Sequence, residues 1–221
     1  MQESDNKEPG KKENIEVKTF LVPFSSVAIK ENITISINNP KKFSQDQLFN
    51  QAIGFHHQGD LLEAAKCYQN FINQGFNDHR VFYNYGILLK NLGNLKEAEK
   101  LIRKAIDLKP DFVDYHFNLG IILAELGKLS EAEISTSKVI ELNPILAEAH
   151  ANLGNILKDL GKLNEAAISY HKAIELKPDL ANAYSNLGIT YRALNKLQDA
   201  EISYRQAIEL DPSLAEAHAN L

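Results

Sequence analysis

Cysteine is nearly absent. Cys67 is the only one, so no disulfide can form within the chain, and a lone cysteine is read as a small packed side chain rather than a reactive thiol. Long apolar runs are missing too. None approaches the roughly 18 residues of a membrane-spanning helix, so no membrane partner is expected. The first residues, MQESDNKEPGKKENIE, lack the apolar stretch of a secretory signal. A cytoplasmic location is expected by default, and the sequon Asn32-Ile33-Thr34 is expected to be empty. Positive charge is in short supply: 24 Lys and Arg stand against 29 Asp and Glu, a net charge of −5. That weighs against nucleic acid, which needs a basic patch. No phosphate-binding glycine loop, glycine-flanked nucleophilic serine or CxxC pair occurs. With no catalytic constellation the chain is read as non-enzymatic, with no cofactor and no metal.

What is present is repetition. Residues 147–180, AEAHANLGNILKDLGKLNEAAISYHKAIELKPDL, recur at a period of 34. Gly86, Gly120, Gly154 and Gly188 stand one period apart, as do Ala64, Ala98, Ala132, Ala166 and Ala200, and Pro110, Pro144, Pro178 and Pro212. A fixed period of this size marks a solenoid. Within one unit, Leu153, Ile156, Leu157 and Leu160 form an apolar helical face, and Leu163, Ala166, Ala167, Tyr170, Ala173 and Ile174 form a second. Gly161-Lys162 separates them. Lys177-Pro178 ends the second, because the residue before proline is pushed out of the α region. Each unit is thus two antiparallel helices, near 148–160 and 163–176, with Asp179 placed to cap the next helix. Glycine inside a helix costs about 1 kcal/mol relative to alanine, so Gly154 and its equivalents imply a close approach of the paired helix. Glu63, Glu97, Glu131, Glu165 and Asp199 fall in the first turn of each second helix, where a carboxylate meets the positive end of the helix dipole.

Leu153-Gly154, Ala166, Tyr170, Ala173 and Pro178 resemble the tetratricopeptide repeat pattern in register, over about four-fifths of the chain. The resemblance implies an all-α fold, a right-handed superhelix of antiparallel helix pairs. Five repeats are expected at 45–78, 79–112, 113–146, 147–180 and 181–214, with a sixth begun at 215–221. The first departs from the pattern, with Gln51, Ala52 and Phe76 where leucine, glycine and proline are usual. The third has Thr136 in place of an aromatic, and the usual tryptophan position holds Leu48, Phe82, His116, His150, Tyr184 and His218. Those histidines sit on helices roughly 8–10 Å apart, too far to share a zinc ion at about 2 Å. His56 and His57 diverge by about 100° on a helix.

Ahead of the repeats, residues 1–44 form a leader. Residues 1–16 are polar and expected to be disordered. Residues 17–43 contain VKTFLVPF and the alternating Ile33, Ile35 and Ile37, which is strand spacing, and are expected to form an extended arm. At the other end AEAHANL, 215–221, copies 147–153. A solenoid normally ends on a polar cap, so the chain is expected to be part of a longer one. Leu210, Leu214 and Leu221 would then form an open apolar face capable of self-association.

One column points to function. Asn50, Asn84, Asn118, Asn152, Asn186 and Asn220 are each one period apart. Asparagine is a mediocre helix former, and its amide offers two donors and an acceptor. The column before it varies freely, as Phe49, Tyr83, Phe117, Ala151, Ser185 and Ala219. The asparagines resemble the ladder in the groove of O-linked N-acetylglucosamine transferases. That resemblance implies a concave groove, lined by first helices, that binds the backbone of an extended peptide. The column four residues earlier is mostly acidic and includes Asp114 and Glu148. It is a poor match to the carboxylate clamp that grips chaperone tails, and it favours a partner with basic side chains. The function expected is therefore a scaffold for protein or peptide segments. The alternative is the substrate-recognition arm of a glycosyltransferase, or another transferase, whose catalytic domain lies beyond Leu221.

Overall fold

The computed structural model describes residues 43–221, so the leader, with its expected disorder and strand-like spacing, lies outside the described residues apart from Phe43 and Ser44. Eleven helices and no strand occur among the described residues. They are α1 (Gln45–Gln58), α2 (Leu61–Asn73), α3 (His79–Asn91), α4 (Leu95–Leu108), α5 (Val113–Glu125), α6 (Leu129–Leu142), α7 (Ala147–Asp159), α8 (Leu163–Leu176), α9 (Ala181–Ala193), α10 (Leu197–Leu210) and α11 (Ala215–Asn220). Odd-numbered helices are the first of each pair and even-numbered helices the second. The fold is an α-solenoid of antiparallel pairs.

The turn inside each pair is set by one position. Gly59, Gly93, Gly127 and Gly161 adopt φ of +73° to +80°, the left-handed conformation that glycine enters without steric penalty. Asn195, at φ +59°, takes the place in the fifth pair, a residue type that tolerates this conformation better than most.

The helices of a pair meet where the sequence places glycine against a large residue. A Cβ on Gly154 would lie 2.6 Å from Cε1 of Tyr170, and one on Gly188 2.5 Å from Cε1 of Tyr204. At Gly86 the obstacle is Ile102, and at Gly120 the hydroxyl of Thr136. Tyr68, Ile102, Thr136, Tyr170 and Tyr204 share one column and are all buried. Ala64, Ala98, Ala132, Ala166 and Ala200 are buried from the other side. Thr136 therefore fills the aromatic position of the third pair without opening it to solvent.

One local expectation is corrected. Asp179 does not cap α9: Leu180 occupies the cap position and makes no side-chain bond. The peptide of Asp179 is used in the turn, its carbonyl accepting from the Ala181 amide at 3.0 Å, and the Ala183 amide is satisfied by the Leu180 carbonyl. Side-chain caps occur only near the start of the described chain, from Ser44 to α1, Asp60 to α2 and Asp78 to α3. The histidines at the usual tryptophan position each make a defined contact. Nε2 of His116, His150 and His218 donates to the carbonyls of Pro110, Pro144 and Pro212 at 2.7, 3.0 and 3.0 Å. Each ring pins the turn that leads into its own helix.

The first junction is built differently. α2 ends early, with Gly75 at φ +79°, and Phe76 packs edge-on against Phe71 at 5.3 Å where later repeats have proline. α2 meets α3 less extensively than α4 meets α5. The next junction is tied by charge: buried Glu99 accepts from Lys128 at 2.8 Å and from Arg103 at 3.0 Å, and Arg103 continues to Glu131.

Candidate functional site

Successive first helices touch: α3 meets α5, α5 meets α7, α7 meets α9 and α9 meets α11. No two second helices approach to that extent among the described residues. The first helices therefore form the inner layer, and the second helices the outer one. The asparagine column lies where first helices meet, as its hydrogen bonds show. Asn118 Nδ2 donates to Tyr83 Oη on α3 at 2.9 Å, and also to its own helix at the Asp114 carbonyl. Asn186 Oδ1 accepts from Lys158 on α7 at 3.1 Å, and Asn220 Oδ1 from Arg192 on α9 at 2.7 Å.

The six residues thus divide. Asn118, Asn186 and Asn220 tie neighbouring first helices together. Asn50, Asn84 and Asn152 make no side-chain hydrogen bond among the described residues, leaving their amides available at the inner layer. The division follows from their neighbours. Lys158 and Arg192 share a column that reads Ala124 one repeat earlier, so Asn152 has no cation to accept from.

The acidic column divides as well. Glu148 is paired with Lys177 at 3.0 Å. Burial, the largest single influence, would raise its pKa, but the Lys177 hydrogen bond, its own backbone amide and the Lys177 charge together hold the carboxyl below its ordinary value. Its charge is met within the chain. Asp114 is half-buried with no ion pair among the described residues, and burial pushes its carboxyl upward. It stands on α5 next to Tyr115, the centre of an aromatic cluster. Tyr115 lies 4.6 Å from both Tyr83 and Phe112, and its hydroxyl is 2.5 Å from Nδ1 of His79. Arg80 stacks over Phe49 at 4.3 Å while bound to Asp78.

The column read as freely drifting is, in place, graded along the inner layer. Phe49, Tyr83 and Phe117 are half-buried, followed by Ala151 and a buried Ser185. Lys158 and Arg192 are a second feature that counting the asparagines alone missed. A cation column five residues after the core leucines Leu153 and Leu187 was present in the sequence, interrupted by Ala124. Cys67 is buried in α2, and burial raises its thiol pKa, which disfavours the reactive thiolate.

A family model described as the cilia and flagella-associated protein 70 middle TPR-like domain matches residues 51–211. No curated protein sequence matches the chain. Among solved structures, YrrB, described as a TPR protein with an unusual peptide-binding site, is similar at 25% identity and a TM-score of 0.73, covering 80% of this chain and 91% of its own. A MamA crystal structure is similar at 20% identity and a TM-score of 0.72, covering 78% and 94%. MamA from Desulfovibrio magneticus RS-1 is similar at 22% identity and 0.72, covering 77% and 96%. The MamA likenesses carry the fold alone. The family model spans most of the chain and all but the edges of its helical array, so this chain belongs to the family of the cilia and flagella-associated protein 70 middle TPR-like domain, a tetratricopeptide-like helical array.

Proposed function

We propose that the array is a protein-interaction scaffold that binds an extended peptide segment along its inner layer, with Asn84 and Asn152 as its principal backbone contacts. The observation that carries this reading is the division of the asparagine column. Two amides in the middle of the inner layer are left without partners among the described residues, while Asn118, Asn186 and Asn220 are used to hold the surface they stand on. A helix interior has no use of its own for asparagine. YrrB, similar over most of both chains, is described as having a peptide-binding site, which supports the same class of partner.

The partner's charge is read from what remains unpaired. Asp114 favours a basic side chain beside Tyr83, whereas Glu148, held by Lys177, contributes little. Asn118, Asn186 and Asn220 support the groove more than they contact its occupant. A second reading, a substrate-presenting arm of a glycosyltransferase, rests on the same asparagine column and differs in what would be attached to the array.

The test uses a peptide selected from a displayed random-sequence library. The side-chain amide NMR signals of Asn84 and Asn152 are expected to shift on binding, with the signals of second-helix residues unmoved. Shifts confined to second helices would overturn the inner-layer reading.

A further inference from the structure

One outer-layer position changes character along the array. It is Lys66 in α2 and Lys100 in α4, then Ile134 in α6, Ile168 in α8 and Ile202 in α10. The three isoleucines are 71%, 69% and 61% exposed. Single exposed apolar side chains need no account. Three in register on successive helices form a stripe, and a contiguous apolar patch marks an interaction surface.

The same switch alters the charges beside the stripe. Lys66 and Lys100 pair with the acid three residues earlier, Glu63 at 2.5 Å and Glu97 at 2.9 Å. Where isoleucine replaces lysine, that acid loses its partner. Glu131 turns to Arg103 of the preceding pair, and Glu165 and Asp199 have no ion pair among the described residues. On the other side of the stripe, Glu141 and Glu175 are neutralised by Lys138 and Lys172. The surface beside the stripe also has relief. A depression of about 570 Å³ is lined by Ile134, Ser137 and Glu141. A second, of about 260 Å³, lies between α6 and α8 against Leu153, Leu157 and Ile168, with Glu165 at its edge.

We propose that the outer face of α6, α8 and α10 docks a basic amphipathic helix lying across the three. Its apolar side chains seat against Ile134, Ile168 and Ile202, and its lysines and arginines face Glu165 and Asp199. A helix carries its apolar side chains on one face with charged side chains beside them, so a single face can meet the isoleucines and the unpaired acids together. The unpaired acids select the sign of the flanking charge. This surface is separate from the inner layer, and neither proposal depends on the other.

The probe is a fluorescent helical peptide of about three heptads, with one leucine per heptad and lysine or arginine beside each. The control has glutamate in place of those basic residues. Both are titrated by anisotropy against the full chain. The wild-type chain is expected to bind the basic peptide and not the acidic one. The triple variant Ile134→Ser, Ile168→Ser, Ile202→Ser should weaken binding by about tenfold or more, a loss of about 1.4 kcal/mol. Its side chains are mostly exposed, so it should fold as wild type, checked by circular dichroism. The double variant Glu165→Gln, Asp199→Asn should weaken binding several-fold and flatten its salt dependence. Equal binding of the acidic peptide, or an unchanged affinity in the triple variant, overturns the proposal. So does a wild-type chain that ignores the peptide but self-associates in a way the triple variant abolishes, which would assign the stripe to a second copy.

Discussion

At Gly154 the absence of one carbon decides how closely two helices approach. The ring of Tyr170 lies where a Cβ would be, and its hydroxyl donates to Asn155 Oδ1 at 2.7 Å. Gly154→Ala gains helix propensity of about 1 kcal/mol but forces the ring out of its seat, and overpacking a filled site costs about 1–3 kcal/mol. Net destabilisation is expected in thermal melting, and an equal or higher Tm would show that the ring can move cheaply. The first repeat shows what moving requires. Ala52 is buried there opposite Tyr68, and the hydroxyl of Tyr68 lies 3.1 Å from Nδ1 of His56, with Ile53 where Asn155 would be. The fifth repeat has glycine and tyrosine but Ile189 in place of Asn155. The Tyr204 hydroxyl is consequently buried without a hydrogen-bond partner among the described residues. An unmade buried hydrogen bond is costly, while a made one contributes about 0.5–1.5 kcal/mol. Tyr204→Phe is therefore expected to hold or raise Tm, and Tyr170→Phe to lower it. The reverse order would mean that Tyr204 finds a partner in solution.

Between helices, two carboxylates respond to pH with opposite signs. Glu99 is buried in the α4–α6 junction. Burial alone would raise its pKa, but the hydrogen bonds from Lys128 and Arg103 outweigh this and hold the folded-state value below the ordinary one. Its contribution to stability is present above the unfolded pKa and is lost as pH falls through the folded value. Asp114 is the reverse. Burial raises its folded-state pKa, so its ionised form opposes folding above that value, and the opposition is relieved as pH falls below it. Glu99→Gln should lower stability near neutral pH by about 1.5–3 kcal/mol, the worth of hydrogen bonds to a charged group, with the difference from wild type shrinking in acid. Asp114→Asn should leave neutral-pH stability unchanged or higher. Chemical denaturation at neutral and acidic pH reads both. Neither element was legible in the sequence to the same degree. The helix pairs and their turns were, because period and glycine placement act locally. The Glu99 network was not, since Lys128 and Glu131 reach it from the next repeat. Asp179 misled for a related reason: its residue type suits a cap, but the turn after Pro178 uses its backbone instead.

Across the whole array the period of 34 made the fold readable, because each repeat buries its apolar faces only against its neighbours. The candidate site was readable only as a column. Its division depended on residues 28 positions away, such as Lys158 against Asn186 and Arg192 against Asn220, and on the substitution of Ala124 that leaves Asn152 without such a partner. That division supplies a test that uniform replacement of the column would blur. Asn84→Ala with Asn152→Ala removes amides that make no side-chain hydrogen bond among the described residues. Stability should hold or rise slightly, since alanine is the better helix former. If the two amides serve an extended peptide, each net hydrogen bond contributes about 0.5–1.5 kcal/mol, so affinity for a selected inner-layer peptide should fall by about tenfold. Asn118→Ala with Asn186→Ala removes the Tyr83 and Lys158 bonds between first helices, and should lower Tm while affecting affinity less directly. Inheritance of asparagine by repeat duplication alone predicts the same affinity in the first pair of substitutions as in the wild type. A first pair that melts lower than the second, with affinity unchanged, would assign the whole column to holding the array together and remove it from recognition.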